Sequence, residues 1–314
     1  MHHIIQEDMF HEFGFRRLVD AMKTLNLPYG IIKIVPFSHE VQHVDGILTG
    51  GAVPTMVWGM TTVEVVAKHR GWVPGVFKNE NFDMRVLNEK YGSDMLNSDA
   101  KFYKLGEVPA YEGSAFIRPV HDTKSFTGGL IDGGELEKWK QGLYELRREF
   151  TTLDLNTEVL VARPKEVRSE ARFFVVGGQV VAGSTYRVDR RVLYKSVDSD
   201  NPLYMPFKEY AQRMVDKWQP AEAFVMDIGL TDEFKVIEIN CLNSSGFYDS
   251  DMTQVVKAIE NLHPWPERWR MVDEDYTKEP WERVIDDRDF DAWRLEHGYG
   301  DVIEDRKKRK ELGA

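Results

Sequence analysis

An α/β unit leading into an α+β region is the expected architecture, on three observations. Strand-like and helix-like patterns alternate up to about Gly106, hairpin signals dominate from there to Leu262, and the composition beyond His263 turns Trp-rich, acidic and finally basic. The corresponding divisions are 1–105, 106–262 and 263–314. A chain of 314 residues is long enough for two domains, each with its own core.

In the first division Phe10, Phe13, Leu18, Met22 and Leu25 fall near helical spacing, and Pro28 ends that helix. Residues 29–35 read as a buried strand. Short apolar runs at 46–48, 55–58 and 75–77, with a helical pattern over 61–69, complete a small unit built on a parallel sheet. His2 and His3 read as a mobile terminus. In the second division strands are expected at 115–119, 130–131, 158–163, 171–176, 179–187, 223–230 and 235–240, with helices at 135–150 and 251–262. In the third, Trp281, Val284, Ile285, Phe290 and Trp293 read as a terminal helix packing on the body, with a partner-binding surface as the other reading.

Charge and cysteine content exclude several function classes. A net charge of −11 and a pI near 5.4 give a field that repels nucleic acid and anionic lipid, although the basic run 306–310 leaves a local nucleic-acid contact open. One cysteine, Cys241, excludes an intrachain disulfide and a thiolate zinc cluster, and fits a cytoplasmic protein. No apolar run reaches the ~18–20 residues of a membrane span.

Two hairpins carry the chemistry. A turn between Asp232 and Glu233 pairs Asp227 with Glu238, so that these acids and Asn240 share one face while Phe224, Met226, Ile228, Ile237 and Ile239 take the core face. Opposed carboxylates repel by roughly 3 kcal/mol at an effective dielectric of 20, so a cation must compensate and removing one acid should relieve the strain. Two carboxylates and an amide oxygen form a hard donor set suited to magnesium or manganese; a solvated acidic face relieved by Lys or Arg is the alternative.

The second hairpin turns at Gly177-Gly178, which pairs Arg172 with Gly183 and leaves room for an anion beside the guanidinium. Arg168, Glu170, Arg172, Thr185 and Arg187 then share a face opposite Phe173, Val175, Val180 and Ala182. Upstream, Arg118 on a strand precedes Lys124 in the glycine-containing loop Lys124-Ser125-Phe126-Thr127-Gly128-Gly129, a composition that can close over phosphates but is neither a Walker loop nor a dinucleotide fingerprint.

This order of parts resembles the ATP-grasp superfamily, most of all its RimK-like carboxylate–amine ligases of phage and bacteria. The resemblance is carried by residues 115–262, is loose over the N-terminal part and is absent after His263. It implies a Rossmann-like pre-ATP-grasp domain followed by two α+β subdomains that clamp a nucleotide. It further implies Arg118 and Lys124 on the phosphates, Glu158, Val159, Leu160 and Val161 against adenine, and Glu170 and Arg172 on the phosphate side. Mg2+ or Mn2+ would sit on Asp227, Glu238 and Asn240, with Arg187, Arg172 and Lys124 stabilising charge in transfer. The implied reaction joins a carboxylate to an amine of an amino acid, peptide or protein terminus through an acyl phosphate, releasing ADP and phosphate.

One departure concerns the loop Asn240-Cys241-Leu242-Asn243-Ser244-Ser245-Gly246, where many relatives have a proline-glycine turn. Asn243, Ser244 and Ser245 are candidate substrate contacts there, with ordinary turn chemistry as the alternative. Two other functions stay open: an ATP-binding module without catalysis that works through partners, and a magnesium-dependent phosphotransferase.

Overall fold

The computed structural model describes residues 1–7, 14–35, 38, 40–48, 54–60, 62–77, 83–121, 126–145, 153–197, 204–262 and 295–296. Lys124, Ser125 and almost all of the third division, with its aromatic positions and basic run, lie outside the described residues.

Three sheets organise the chain. The first contains β1 (His2–Gln6), β2 (Tyr29–Ile34), β3 (Val41–Gly46), β4 (Thr55–Trp58) and β5 (Pro74–Gly75) in the order β3-β2-β1-β4-β5. Helices α1 (Phe15–Thr24) and α2 (Thr62–Arg70) connect its parallel strands. The sheet is mixed rather than wholly parallel, because β3 returns antiparallel to β2. Far from being a mobile terminus, His2 and His3 lie in the central strand, almost fully buried. A strand covered on both faces shows no alternation of polar and apolar residues, and two histidines mask it further. Trp58 Nε1 donates to His3 Nδ1 at 3.0 Å, and His3 Nε2 donates to Glu260 at 3.0 Å. Burial pushes the His2 imidazole down to about 3 and lowers that of His3 as well.

The helix α3 (Met84–Tyr91) starts at Asp83, whose carboxylate accepts the Arg85 N–H at 2.7 Å. Next comes a four-stranded antiparallel sheet of β6 (Lys101–Lys104), β7 (Ser114–Pro119), β8 (Gly129–Asp132) and β9 (Glu158–Ala162), in the order β6-β9-β7-β8. Strand β6 therefore belongs to this sheet, although it precedes the division drawn at residue 105. Helix α4 (Gly133–Glu145) covers one face, burying Leu136 and setting Trp139 edge-on to Phe126.

The third sheet holds β10 (Ser169–Val176), β11 (Gln179–Val188), β12 (Arg191–Ser196), β13 (Ala223–Leu230) and β14 (Phe234–Asn240), in the order β12-β11-β10-β13-β14. Gly177 and Gly178 both take positive φ, 56° and 78°, as a two-residue hairpin turn requires. Both faces of this sheet are covered. Phe173, Val175, Phe224, Met226 and Val236 join α3 and α5 (Met205–Lys217) in one core. Phe174, Val176 and Val225 join α1 and α6 (Met252–Leu262) in the other.

Bulges alter the expected register. A shift between Phe174 and Val175 sets Arg172 opposite Ser184 and Phe173 opposite Gly183, and it moves Ala182 onto the face of Phe174. A Cβ on Gly183 would come within 2.5 Å of the Phe173 ring, so the glycine makes room for an aromatic residue and not for an anion. In the other hairpin Asp227 pairs with Glu238 as expected, but a bulge beyond them gives the core position to Val236 in place of Ile237.

Candidate active site

Where the second and third sheets face each other, the chemistry-bearing residues come together. Asp227 on β13 is 1% exposed, and Arg172 on β10, directly opposite, donates to it twice, from Nε at 2.9 Å and from Nη2 at 2.8 Å. Glu238 on β14 accepts from Arg118 Nη1 at 2.6 Å, a bond that crosses from β7 in the other sheet. The Asn240 carboxamide donates to Glu238 at 2.9 Å and reaches Asp227 at 3.5 Å. Two arginines thus compensate the opposed acids, the arrangement that the repulsion between them demands.

The two acids differ in state. Burial pushes Asp227 up to about 6, with Arg172 pulling against it and Glu238 adding to it. Burial also works on Glu238, but the Arg118 charge and the Asn240 bond outweigh it and hold that carboxyl below the usual range.

Arg187 Nη1 donates to Glu170 at 2.6 Å, and its guanidinium is half exposed. Arg172, by contrast, is enclosed. Its Nη1 approaches the Gly246 carbonyl at 3.4 Å, and the guanidinium lies 4.9 Å from the Tyr248 ring and 5.8 Å from that of Tyr186. Sequence reasoning missed these tyrosines, which come from separate segments and carry no spacing signal. It also missed Arg85, which pairs with Glu158 next to His121.

Two sets of expected contacts are placed differently. The Asn243 side chain is buried and turned toward the first sheet: it donates to the Val57 carbonyl at 2.5 Å and accepts from Phe77 N at 3.0 Å. Ser245 is buried and donates to the Cys241 carbonyl at 2.6 Å, while Ser244 is half-buried. Both residues at the buried positions act within the loop and its support. Strand β9 is interior, with β6 along one edge and β7 along the other throughout Val159, Leu160 and Val161. Its peptide groups serve the sheet, so the expected backbone contact with adenine is not available at those three residues, and the Glu158 side chain is engaged by Arg85 and His121.

A family model of the ATP-grasp domain, the third family of its clade, matches residues 29–260. The chain belongs to this ATP-grasp family. The D-alanine–D-alanine ligase of Coxiella burnetii is similar in fold, with a TM-score of 0.52 at 11% identity over 83% of this chain and 94% of that one. D-cycloserine synthetase DcsG gives 0.51 at 10% identity over 83% and 99%. A RimK domain protein from Sphaerobacter thermophilus gives 0.47 at 13% identity over 78% and 92%. No curated protein matches the sequence.

ATP-grasp enzymes use ATP with Mg2+ or Mn2+. The donors found between these sheets are all oxygen or amide, which suits a hard ion. Among the described residues no three His, Cys, Asp or Glu side chains gather as metal ligands. An ion held here by ATP-grasp residues would rest on two carboxylates and one carboxamide, and take its other oxygens from phosphate and water, as magnesium commonly does. Among the described residues no helix is long and apolar enough to cross a membrane.

Proposed function

We propose that the protein is an ATP-dependent ligase that joins a carboxylate to an amine through an acyl phosphate, releasing ADP and phosphate. The observation that carries this reading is the convergence of Arg118, from one sheet, on the Asp227–Glu238–Asn240 group of the other. Family membership, and the naming of two proteins of similar fold as a ligase and a synthetase, support the same class.

In this reading the triphosphate enters between the sheets, and Arg118 exchanges Glu238 for phosphate oxygens, with Lys124 as a further phosphate contact. Asp227, Glu238 and Asn240 would hold Mg2+ or Mn2+, which neutralises phosphate charge when bound. With the β9 backbone committed to its sheet, adenine lies against the linker 163–168. A carboxylate oxygen of the substrate bonds to the γ-phosphorus as the bond to the β-phosphate oxygen breaks and ADP leaves. The amine nitrogen then attacks the acyl carbon, phosphate departs, and the nitrogen loses a proton. Arg187, the exposed guanidinium of the group, is placed to meet the charge that develops on the transferring phosphoryl. Arg172 acts from its enclosed position on Asp227. Ser244 is the loop residue left to meet a substrate.

The test is release of ADP from MgATP with panels of carboxylates and amines. ADP and phosphate formed only when both partners are present, with an amide found by mass spectrometry, would bear the proposal out. A phosphorylated hydroxyl product would replace it with phosphotransfer, and nucleotide binding without any turnover would replace it with a binding module.

A further inference from the structure

Tyr248 holds a backbone conformation that a bulky side chain seldom adopts. Its φ is +50°, in the left-handed region, where an aromatic residue persists only if its surroundings impose it. Gly246, two residues earlier, has no such positive φ, so the strain falls on the tyrosine although a glycine stood nearby to take it. What holds Tyr248 is a stack. Its ring lies 5.1 Å from Tyr194 on β12 at an angle of 14°, and 5.2 Å from Tyr186 on β11 at 31°. The Arg172 guanidinium sits 4.9 Å from the same ring.

The neighbouring backbone is pinned as well. The Tyr248 carbonyl lies so close to Gly14 that a Cβ there would be 2.5 Å away. Arg17 of α1 donates to the Asp249 carbonyl at 3.0 Å, Asp249 N donates to Ser184 at 3.1 Å, and Ser196 N donates to the Asp249 carboxylate at 2.9 Å. Helix α1 and strands β10, β11 and β12 therefore all meet around this one residue, and its ring touches the guanidinium that grips Asp227.

We propose that Tyr248 is a positioning residue: its ring fixes the Arg172 guanidinium, and through it Asp227, relative to the loop that leads into α6. The inference rests on the reading of this region as the phosphate and metal site. A guanidinium is fixed in plane by its hydrogen bonds, and the ring restrains it out of plane. Without the ring, Arg172 and Asp227 retain their bond but lose a defined orientation toward the transferring group, where an error of about 1 Å can cost roughly 100-fold in rate.

Isothermal titration of the full chain and of Tyr248→Phe and Tyr248→Leu, with MgAMPPNP and with MgADP plus aluminium fluoride, tests this together with thermal unfolding. The first probe reports ground-state nucleotide binding and the second the geometry of transfer. Tyr248→Phe is expected to match the parent with both probes. Tyr248→Leu is expected to stay folded, to bind MgAMPPNP within about threefold of the parent, and to lose roughly tenfold or more toward the aluminium fluoride complex. An equal loss with both probes, no loss with either, or a loss in Tyr248→Phe as large as in Tyr248→Leu overturns the inference. Failure of the parent to bind MgAMPPNP overturns the nucleotide-site reading itself, and this inference with it.

Discussion

Arg172 meets Asp227 with two nearly parallel hydrogen bonds, 2.9 Å and 2.8 Å, inside the sheet and out of reach of solvent. Arg118 meets Glu238 with a single bond of 2.6 Å between two sheets, and both partners are partly exposed. The two ion pairs sit side by side and differ in what their loss costs.

Asp227→Asn leaves a buried guanidinium without its counter-ion and should destabilise the protein by about 3–5 kcal/mol, while Glu238→Gln should cost about 1 kcal/mol or less. This reverses the expectation that removing either acid relieves repulsion, because the repulsion is already answered by arginine. Urea unfolding of both variants measures the difference. The pair Asp227→Asn with Arg172→Met should recover most of the stability lost in Asp227→Asn alone.

Asn243→Ala removes a carboxamide whose oxygen and nitrogen are both used by buried backbone groups of the first sheet and its neighbours. The loss should be about 2–3 kcal/mol in stability, with the nucleotide affinity of the folded fraction unchanged. A shift confined to substrate KM, with stability intact, would restore Asn243 to a substrate-contact role.

Asp99 braces the linker between β9 and β10. Arg163 Nε donates to it at 3.0 Å and Lys165 Nζ at 2.5 Å, and Leu96, in the same segment, donates its N–H to Val236 of β14 at 2.8 Å. Burial opposes ionisation of Asp99, but the bonds from Lys165 and Arg163 hold its carboxyl below the usual range. Asp99→Asn should raise the KM for ATP by roughly tenfold and lower stability by about 1 kcal/mol or less, since the pair is partly exposed. Steady-state kinetics with ATP varied reads this directly once an acceptor is found, and nucleotide titration reads it before.

Stability should fall as pH drops below about 6.5. The unfolded chain protonates His2 and His3 near that value, whereas the folded chain keeps them neutral, His2 down to about 3. A histidine with a lowered folded pKa contributes stability above the unfolded value and loses it as pH falls, at about 1.4 kcal/mol per unit for each group. Thermal unfolding between pH 7 and pH 4 should show this slope, and His2→Gln should flatten it.

What sequence order alone determined is the pairing of Asp227 with Glu238, the Gly177-Gly178 turn, the succession of strands in the ATP-grasp region and the resemblance that goes with it. These depend on local alternation and on a glycine turn, which a short window of sequence contains. Tertiary structure decided the rest. Bulges moved Arg172 from Gly183 to Ser184, and no alternation pattern records an extra residue in one strand. The burial of β1 on both faces erased its signal. Above all, which cation answers which acid depends on strands 55 residues apart for Arg172 and Asp227, and on two different sheets for Arg118 and Glu238. Charge balance required a cation beside the acids; only packing across the sheets selected these two arginines and placed Tyr248 against one of them.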